Sequence, residues 1–534
     1  MKSESESTQS NRVKETNGNW LRIFACDRRS LALMRILLGL LILADLGMRM
    51  SSMEAMYTDA GFFTVADWSK HVDGMSGTTA PISWSLHALS GSTSWQLVLF
   101  AIAAIAAVMM TVGWKTRLAC IVSWVLLTSL QMRNPLILHS GDCLFRLAIF
   151  WGIFLPWGSM FSIDSRLRAK KTAKSDSSHA NARRDMANPV ISGATCGLIL
   201  SLFGMYFFAG ISKLNSNWYS GEALECVLKL DIYTTSIGSY ALQYPTLLKL
   251  MTWGTMGVEI VLPIMMLIPW RNQRWRWLAM FAFVSLHLSI AACMSIGLFS
   301  WVAIAVWTSL ISGAFWDRIG LRLPLKNTDS AANEPRTRRW FAGPSGLVNV
   351  VCLGLAAYFM VWNIATINHP QLKKLMPQEA RVVGKWLNLR QEFRMFDVPP
   401  RHSPWFVYEA RLKNGATIDI FRQQPVDHSR PKSVKATIPQ HHWRRLHRNL
   451  ARPHLKKFRQ PVSEYMIRRW NDSHDEDSQV EVAKTTAYLE EIVAGQESQS
   501  LVSQVWYVHG GELAEKHLFD DLLKQINEKG VILP

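Results

Sequence analysis

The sequence predicts an α-helical polytopic membrane bundle of about nine transmembrane helices, followed by a C-terminal extramembrane α+β domain. Three observations carry that class. Apolar runs of helix length recur through the first two-thirds of the 534-residue chain, as membrane-spanning helices require. The loops between them alternate between rich and poor in Lys and Arg, the pattern of the positive-inside rule. The last third turns polar and basic, with strand-like runs on either side of Asn414-Gly415, a strong hairpin signal.

Taken in order, residues 1–20 are polar and Ser/Glu-rich and predict a disordered cytoplasmic tail. No apolar core of a cleavable signal peptide lies within them, so the first apolar run reads as an uncleaved signal anchor. NWLRIFACDRRS looks amphipathic and interfacial, with Ser30 as the candidate cap of the helix that follows. The expected spans are 31–50, 94–113, 117–132, 143–162, 189–211, 248–269, 277–293, 298–316 and 346–366. Several are shorter than the ~20 residues of a perpendicular span. With the N-terminus in the cytoplasm, the tail, the Lys115 turn, the basic 163–188 loop, the Arg271 turn and the 317–343 loop are all cytoplasmic and all basic. Loops 51–93, 133–142 and 212–247 are then external and poor in Lys and Arg, and the last span delivers the C-terminus outside. The expectation is an integral, multi-pass protein with a transmembrane domain over 21–369 and a soluble extracytoplasmic domain over 370–534. Within the latter, 405–421 predicts a hairpin, 441–458 a basic helix, 480–493 and 501–510 strands, and the end of the chain a short helix.

The net charge of +18 raises nucleic-acid binding, but the basic residues fall in loops on one side of the apolar runs, which topology explains better. The 23 Trp suit a protein with many interface anchors. The seven Cys include no CxxC, and none lies within 370–534. Neither a disulfide framework nor a metal site is expected. There is no Walker A, GxGxxG, HExxH or GxSxG motif.

Ionisable groups inside apolar runs are functional candidates because each costs a few kcal/mol in lipid. Here they are Arg35, Asp45, Arg146, Glu259 and His287. Arg35 reads as an anchor and Asp45 as hydrated near a helix end. Glu259 lies mid-span and needs a partner, with Arg146 or His287 able to serve. FFAGISKLNSNWYSGEAL (207–224) ends an apolar run in Lys213, Asn215, Asn217 and Trp218. The same Lys and Trp also suit plain interface anchoring. In the expected topology His139, Lys213 and His287 approach one membrane face. A desolvated lysine there can act as a base, and a histidine can stabilise a developing anion.

The 207–224 stretch resembles the Ala-Gly-x-x-Lys-Leu-(Asp/Asn)-x-(Asp/Asn)-Trp-x-x-Gly segment of the vitamin K-dependent γ-carboxylases and of their bacterial relatives, the HTTM-domain proteins. HLSIAACMSIGLFSWV (287–302) is similar to a second family segment, and LALMRILLGLLILADL and RNPLILHSGD also fit the bacterial relatives. The resemblance spans roughly residues 20–425. It implies a carbon-carbon lyase of γ-glutamyl carboxylase type. In such an enzyme a reduced naphthoquinone (vitamin K or menaquinone) reacts with oxygen to give a strong base, and protein glutamate then captures carbon dioxide. By the resemblance Lys213, His139 and His287 are the catalytic residues. Asn215, Asn217, Trp218, Arg146 and Glu259 are the candidate quinone- or substrate-binding residues. No metal is implied. The implied partners are the lipid bilayer and a glutamate-containing protein or peptide, with no nucleic acid. Two departures stand out: the family's double lysine is Ser212-Lys213 here, and the region that grips the propeptide in animal carboxylases is much shorter. The alternative is a non-enzymatic membrane scaffold or transport-like protein that keeps the fold.

Overall fold

A computed structural model of the protein describes residues 20–76, 84–172, 189–321, 343–367, 369–389, 397–496 and 501–510. The tail 1–19, the stretch 173–188 and the expected C-terminal helix lie outside the described residues. The long helices of the first two-thirds are α1 (Arg28–Met50), α2 (Thr93–Val112), α3 (Thr116–Arg133), α4 (Ser140–Phe154), α5 (Gly193–Ser212), α6 (Pro245–Met266), α7 (Asn272–Cys293), α8 (Phe299–Trp307) and α9 (Gly343–Thr366).

Six helices among the described residues are long and apolar enough to cross a membrane: α1, α2, α5, α6, α7 and α9. That is fewer than the nine expected. The remaining three expected spans are helices, but α4 has 15 residues and α8 nine, while α3 buries Thr128, Ser129, Gln131 and Arg133. α4 is almost wholly buried, so neighbours rather than lipid receive its polar residues and its short length is tolerated, whereas α3 keeps Leu118 and Ile121 exposed and α8 keeps Trp301 exposed.

Helix caps set the boundaries. Asp27, not Ser30, caps α1: its extended backbone lets the carboxylate accept from Arg29 N at 2.8 Å, as a cap requires. Ser30 is already helical and donates its hydroxyl to Ile311 O at 2.7 Å. Gly113 closes α2 at φ +72°, a left-handed conformation glycine adopts without strain. Arg35 is no interface anchor. It is buried and donates to Met110 O and Thr111 O, carbonyls in the last turn of α2, and to Phe161 O beyond α4. Asp45 is buried rather than hydrated and pairs with Arg49 at 2.7 Å.

The connections collect at two ends of the bundle. At one end Arg29 pairs with Asp317, Cys26 bridges Val190, Thr116 bonds Asp164 and Arg276 reaches Ala25 O. At the other end lie all three loops expected to be external. There Arg133 bonds Phe63 O, Asn134 bonds Met56 O, and Ser295 N bonds Tyr233 O.

The C-terminal region is built on an antiparallel sheet of β1 (His402–Leu412), β2 (Thr417–Asp419), β3 (Gln424–Pro425), β4 (Val480–Glu491) and β5 (Leu501–His509), in the order β3-β2-β1-β4-β5. Gly415 at φ +84° turns the expected β1–β2 hairpin. Helices α10 (His441–Leu450) and α11 (Arg459–Asn471) pack on the sheet. His447 Nε2 lies 2.9 Å from the Tyr408 hydroxyl, and Thr485 Oγ1 is 2.9 Å from Ser463 Oγ. This region seats on the second end of the bundle. Arg468 donates to Ala60 O and Gly61 O, Asn449 to Leu136 O, Arg444 to Ser295 Oγ, and Val434 N to Asp231.

Candidate functional site

Lys213 is the residue at which α5 ends, its amide bonded to Gly210 O at 3.1 Å. Gly210 faces α6 so closely that an added Cβ would lie 2.7 Å from Ile260 Cγ1 and 3.1 Å from Glu259 Cβ. That close approach lets Lys213 Nζ donate to Glu259 Oε2 at 2.7 Å, with a second bond to Ala209 O at 3.2 Å. The ammonium sits 5.1 Å from the centre of the Trp218 ring, within cation–π range. Lys213 is 3% exposed and Glu259 8%. Lys213 is therefore not a headgroup anchor. Nor is Glu259 partnered by Arg146 or His287: its partner is the lysine 46 residues earlier. Trp218 is buried rather than half-wet at an interface.

Asn215 holds the turn that carries Trp218. Its Oδ1 accepts from Asn217 N at 3.1 Å, and its Nδ2 donates to Ser212 O at 3.1 Å and to Asp397 O at 2.9 Å. Asn217 is exposed and contributes its backbone amide to this turn.

His287, on α7, belongs to a neighbouring cluster that meets α5 at Tyr206. Its Nε2 lies 2.7 Å from the hydroxyl of Tyr206, which also accepts from Trp307 Nε1 at 2.8 Å. Phe283 stacks against both the Tyr206 and the Trp307 rings, at 3.8 and 5.1 Å between centres, and those two rings are themselves 5.7 Å apart. The other ring nitrogen, Nδ1, is buried with no hydrogen-bond partner. Tyr206 lies two turns before Lys213 on α5, so the two clusters share a helix without touching through His287.

His139 and Arg146 sit apart from that pair. His139 caps α4: its Nδ1 accepts from Gly141 N at 3.0 Å, while Asp142 returns a bond to His139 N at 2.8 Å. Asp142 also receives Arg49 at 3.1 Å and Gln131 at 3.2 Å, and Arg49 donates to Tyr57 at 2.6 Å. Arg146 extends this network, bonding Gln131 Oε1 and, at 3.0 Å, Asn388 O. Burial pushes the His139 imidazole below its usual pKa range, against the pull of Asp142. Its ring meets His441 edge to face at 5.3 Å. Both rings line a cavity of about 250 Å³ between the bundle end and α10. Asp397, whose backbone Asn215 holds, is part of the same wall.

A family model for the HTTM domain matches residues 24–316, more than half of the chain. The chain belongs to the HTTM-domain family. HTTM domains are found in vitamin K-dependent carboxylase-related proteins. No solved structure matches the chain. Every residue singled out from the sequence falls inside the matched HTTM domain. The structure brings Lys213, Glu259 and Trp218 together with Asn215 behind them, places His287 one cluster away, and sets His139 and Arg146 in a separate network. Residues that sequence reasoning passed over complete the picture: Tyr206, Asp142 and Arg49 inside the HTTM domain, and Tyr233 and His441 at the cavity. Tyr206 had a readable signal, a hydroxyl in an otherwise apolar run. His441 was hidden in a stretch whose basic character masked its packing. Among the described residues, no cluster of three or more His, Cys, Asp or Glu side chains is placed to hold a metal ion.

Proposed function

We propose that this chain is an integral membrane protein of γ-glutamyl carboxylase type, coupling oxidation of a reduced naphthoquinone by oxygen to carboxylation of protein glutamate. The observation that carries the reading is the buried Lys213–Glu259 pair at the external end of α5, on the residue where the resemblance puts the family's base. An apolar bundle with one ionisable pair beside a tryptophan face suits a flat, lipid-soluble quinol, which needs a few fixed polar contacts in an apolar site.

The reduced quinone supplies the reducing equivalents. With one oxygen molecule it yields the epoxide and one water, and carbon dioxide adds to the glutamyl carbon that gives up its proton. The chain's part is proton handling. Lys213 as an ammonium cannot accept a proton until it releases one. Glu259, 2.7 Å away, is the group positioned to take it. Lys213 Nζ then receives the quinol proton while Glu259 holds the displaced one. The Trp218 ring excludes water and steadies the ammonium.

The proposed orientation has the N-terminus in the cytoplasm and the C-terminal domain outside; it is supported by the positive-inside rule, since Lys115 and Arg271 lie at the end of the bundle away from that domain. The partners proposed are the bilayer and a glutamate-bearing protein or peptide. The second reading, a scaffold or transport-like protein, draws on the completeness of the same ion pair, which needs no substrate to satisfy it. Oxygen uptake by purified protein in nanodiscs, started with reduced menaquinone in bicarbonate buffer, tests the proposal. Quinol-dependent uptake above that of empty nanodiscs supports the enzyme, and its absence across several quinones favours the scaffold.

A further inference from the structure

The cavity between the bundle end and α10 has an unusual charge balance. Arg445, Arg448 and Arg452 line one side, spaced to share a face of the basic helix and its extension. None of the three makes an ion pair with a carboxylate among the described residues. Arg445 spends one donor on Leu138 O at 2.9 Å, and Arg448 lies 5.9 Å over the Tyr233 ring. The one carboxylate in the wall, Asp397, is turned to its own neighbour, accepting from Val398 N at 2.8 Å. Burial pulls Arg448 down to about 10, helped by Arg445 and Arg452, and it remains charged at neutral pH. His441 is held neutral by burial and by the facing His139 and Arg444. Among the described residues, three guanidinium groups face one carboxylate, an excess of two positive charges.

Two further side chains wait on a partner. Tyr233 lines the cavity at 4% exposure with no hydrogen-bond partner for its hydroxyl. His441 lines it with neither ring nitrogen bonded. Buried polar atoms are normally satisfied, and each orphan costs about 1–3 kcal/mol. Leu230 and Ile296 make the remaining wall apolar. At about 250 Å³ the cavity sits just below the ~300–1,000 Å³ of ordinary small-ligand sites.

We infer that this cavity is a binding site for a small organic dianion with an apolar body, held by Arg445, Arg448 and Arg452, with the Tyr233 hydroxyl and His441 supplying the remaining hydrogen bonds. The ligand chemistry is two negative charges on neighbouring oxygens, from a geminal dicarboxylate or from a phosphate ester. The geminal dicarboxylate is favoured only if the proposed carboxylation holds, since its product carries that group. The charge balance itself does not rest on that reading.

The test uses the full chain in nanodiscs and measures Kd by calorimetry for benzylmalonate, inorganic phosphate and hexanoate. Benzylmalonate is expected to bind about tenfold or more tightly than hexanoate, the worth of one additional charged hydrogen bond. Arg448→Gln is expected to weaken it by about tenfold or more while raising the melting temperature of the ligand-free protein, because it removes repulsion from Arg445 and Arg452. Tyr233→Phe is expected to weaken binding without destabilising the ligand-free fold, since the hydroxyl has no partner to lose. Phosphate binding as tightly as benzylmalonate supports the dianion site and assigns the phosphate source. Equal affinity for hexanoate and benzylmalonate overturns the dianion assignment, and no measurable binding of any of the three overturns the site. Benzylmalonate binding without quinol-dependent oxygen uptake overturns the enzyme reading and leaves the site standing.

Discussion

Lys213 Nζ and Glu259 Oε2 stand 2.7 Å apart across α5 and α6, nearly sealed from solvent. An intact buried pair adds little net stability, because desolvation offsets attraction, but removing one partner strands a charge. Glu259→Ala is expected to destabilise the protein by about 3–5 kcal/mol, whereas the paired change Lys213→Met with Glu259→Leu is expected to be near neutral. Thermal unfolding of Lys213→Met, Glu259→Leu and the double variant in detergent, alongside Glu259→Ala, checks this. Additive losses would mean that the two side chains do not depend on one another.

The close approach at Gly210 sets that distance. Gly210→Ala places a methyl 2.7 Å from Ile260 Cγ1, so α5 and α6 must separate. Overpacking of this kind costs about 1–3 kcal/mol. The expectation is a lower melting temperature together with a loss of quinol turnover larger than the loss of folded protein, although no ionisable group has been touched. Turnover that tracks folded protein alone would show that the helix spacing does not tune the pair.

Among the described residues, the Tyr206 hydroxyl is the hydrogen-bond partner of the His287 imidazole, 2.7 Å from Nε2. Tyr206→Phe leaves the imidazole and Trp307 Nε1 without that oxygen, at an expected cost of about 1–3 kcal/mol. Chemical denaturation of the variant measures it. An unchanged midpoint would mean that His287 finds another partner.

Acid is expected to loosen the seat of the C-terminal domain. Burial holds His441 and His442 neutral, well below their ordinary pKa, with His139 adding to the push on His441 and Arg49 on His442. A histidine whose folded pKa is depressed binds its proton more readily unfolded, so stability is lost as pH falls below the unfolded value of ~6.5. Melting temperatures at pH 7.5 and pH 5.5 give the slope, and His442→Gln is expected to reduce it. An unaltered slope in that variant would assign the acid sensitivity elsewhere.

Helices and strands were legible because they are local. The apolar runs, the Asn414-Gly415 turn and the alternation in β4 and β5 each depend on near neighbours in the chain. Burial partners were not. Glu259 was recognisable as a residue in need of a partner, but nothing local says that α5 lies against α6 at Gly210 and so delivers Lys213. Asp45 reads as hydrated from its place near a helix end, and only the folded structure shows that Arg49, one turn on, buries with it as an ion pair. Ser30 reads as a cap from its residue type, but Asp27 suits the position equally and only backbone geometry separates the two. Among the described residues six of the nine expected spans are helices of membrane length and apolarity, since an apolar run does not show where its helix ends or how many polar residues its neighbours bury. The cavity of Tyr233 and His441 joins residues about two hundred positions apart, beyond the reach of any spacing rule.

The central claim is that Lys213 is the base of a quinol oxidation, and the most direct measurement is formation of quinone epoxide. Purified wild type and Lys213→Ala, matched for the amount of folded protein in nanodiscs, are supplied with reduced menaquinone or vitamin K, oxygen and bicarbonate, and the product is followed by chromatography. Epoxide from the wild type, reduced by about 100-fold or more in Lys213→Ala as expected for loss of an acid–base group, is the predicted result. Equal epoxide from both proteins would remove Lys213 from the chemistry, and none from either would contradict the enzymatic account.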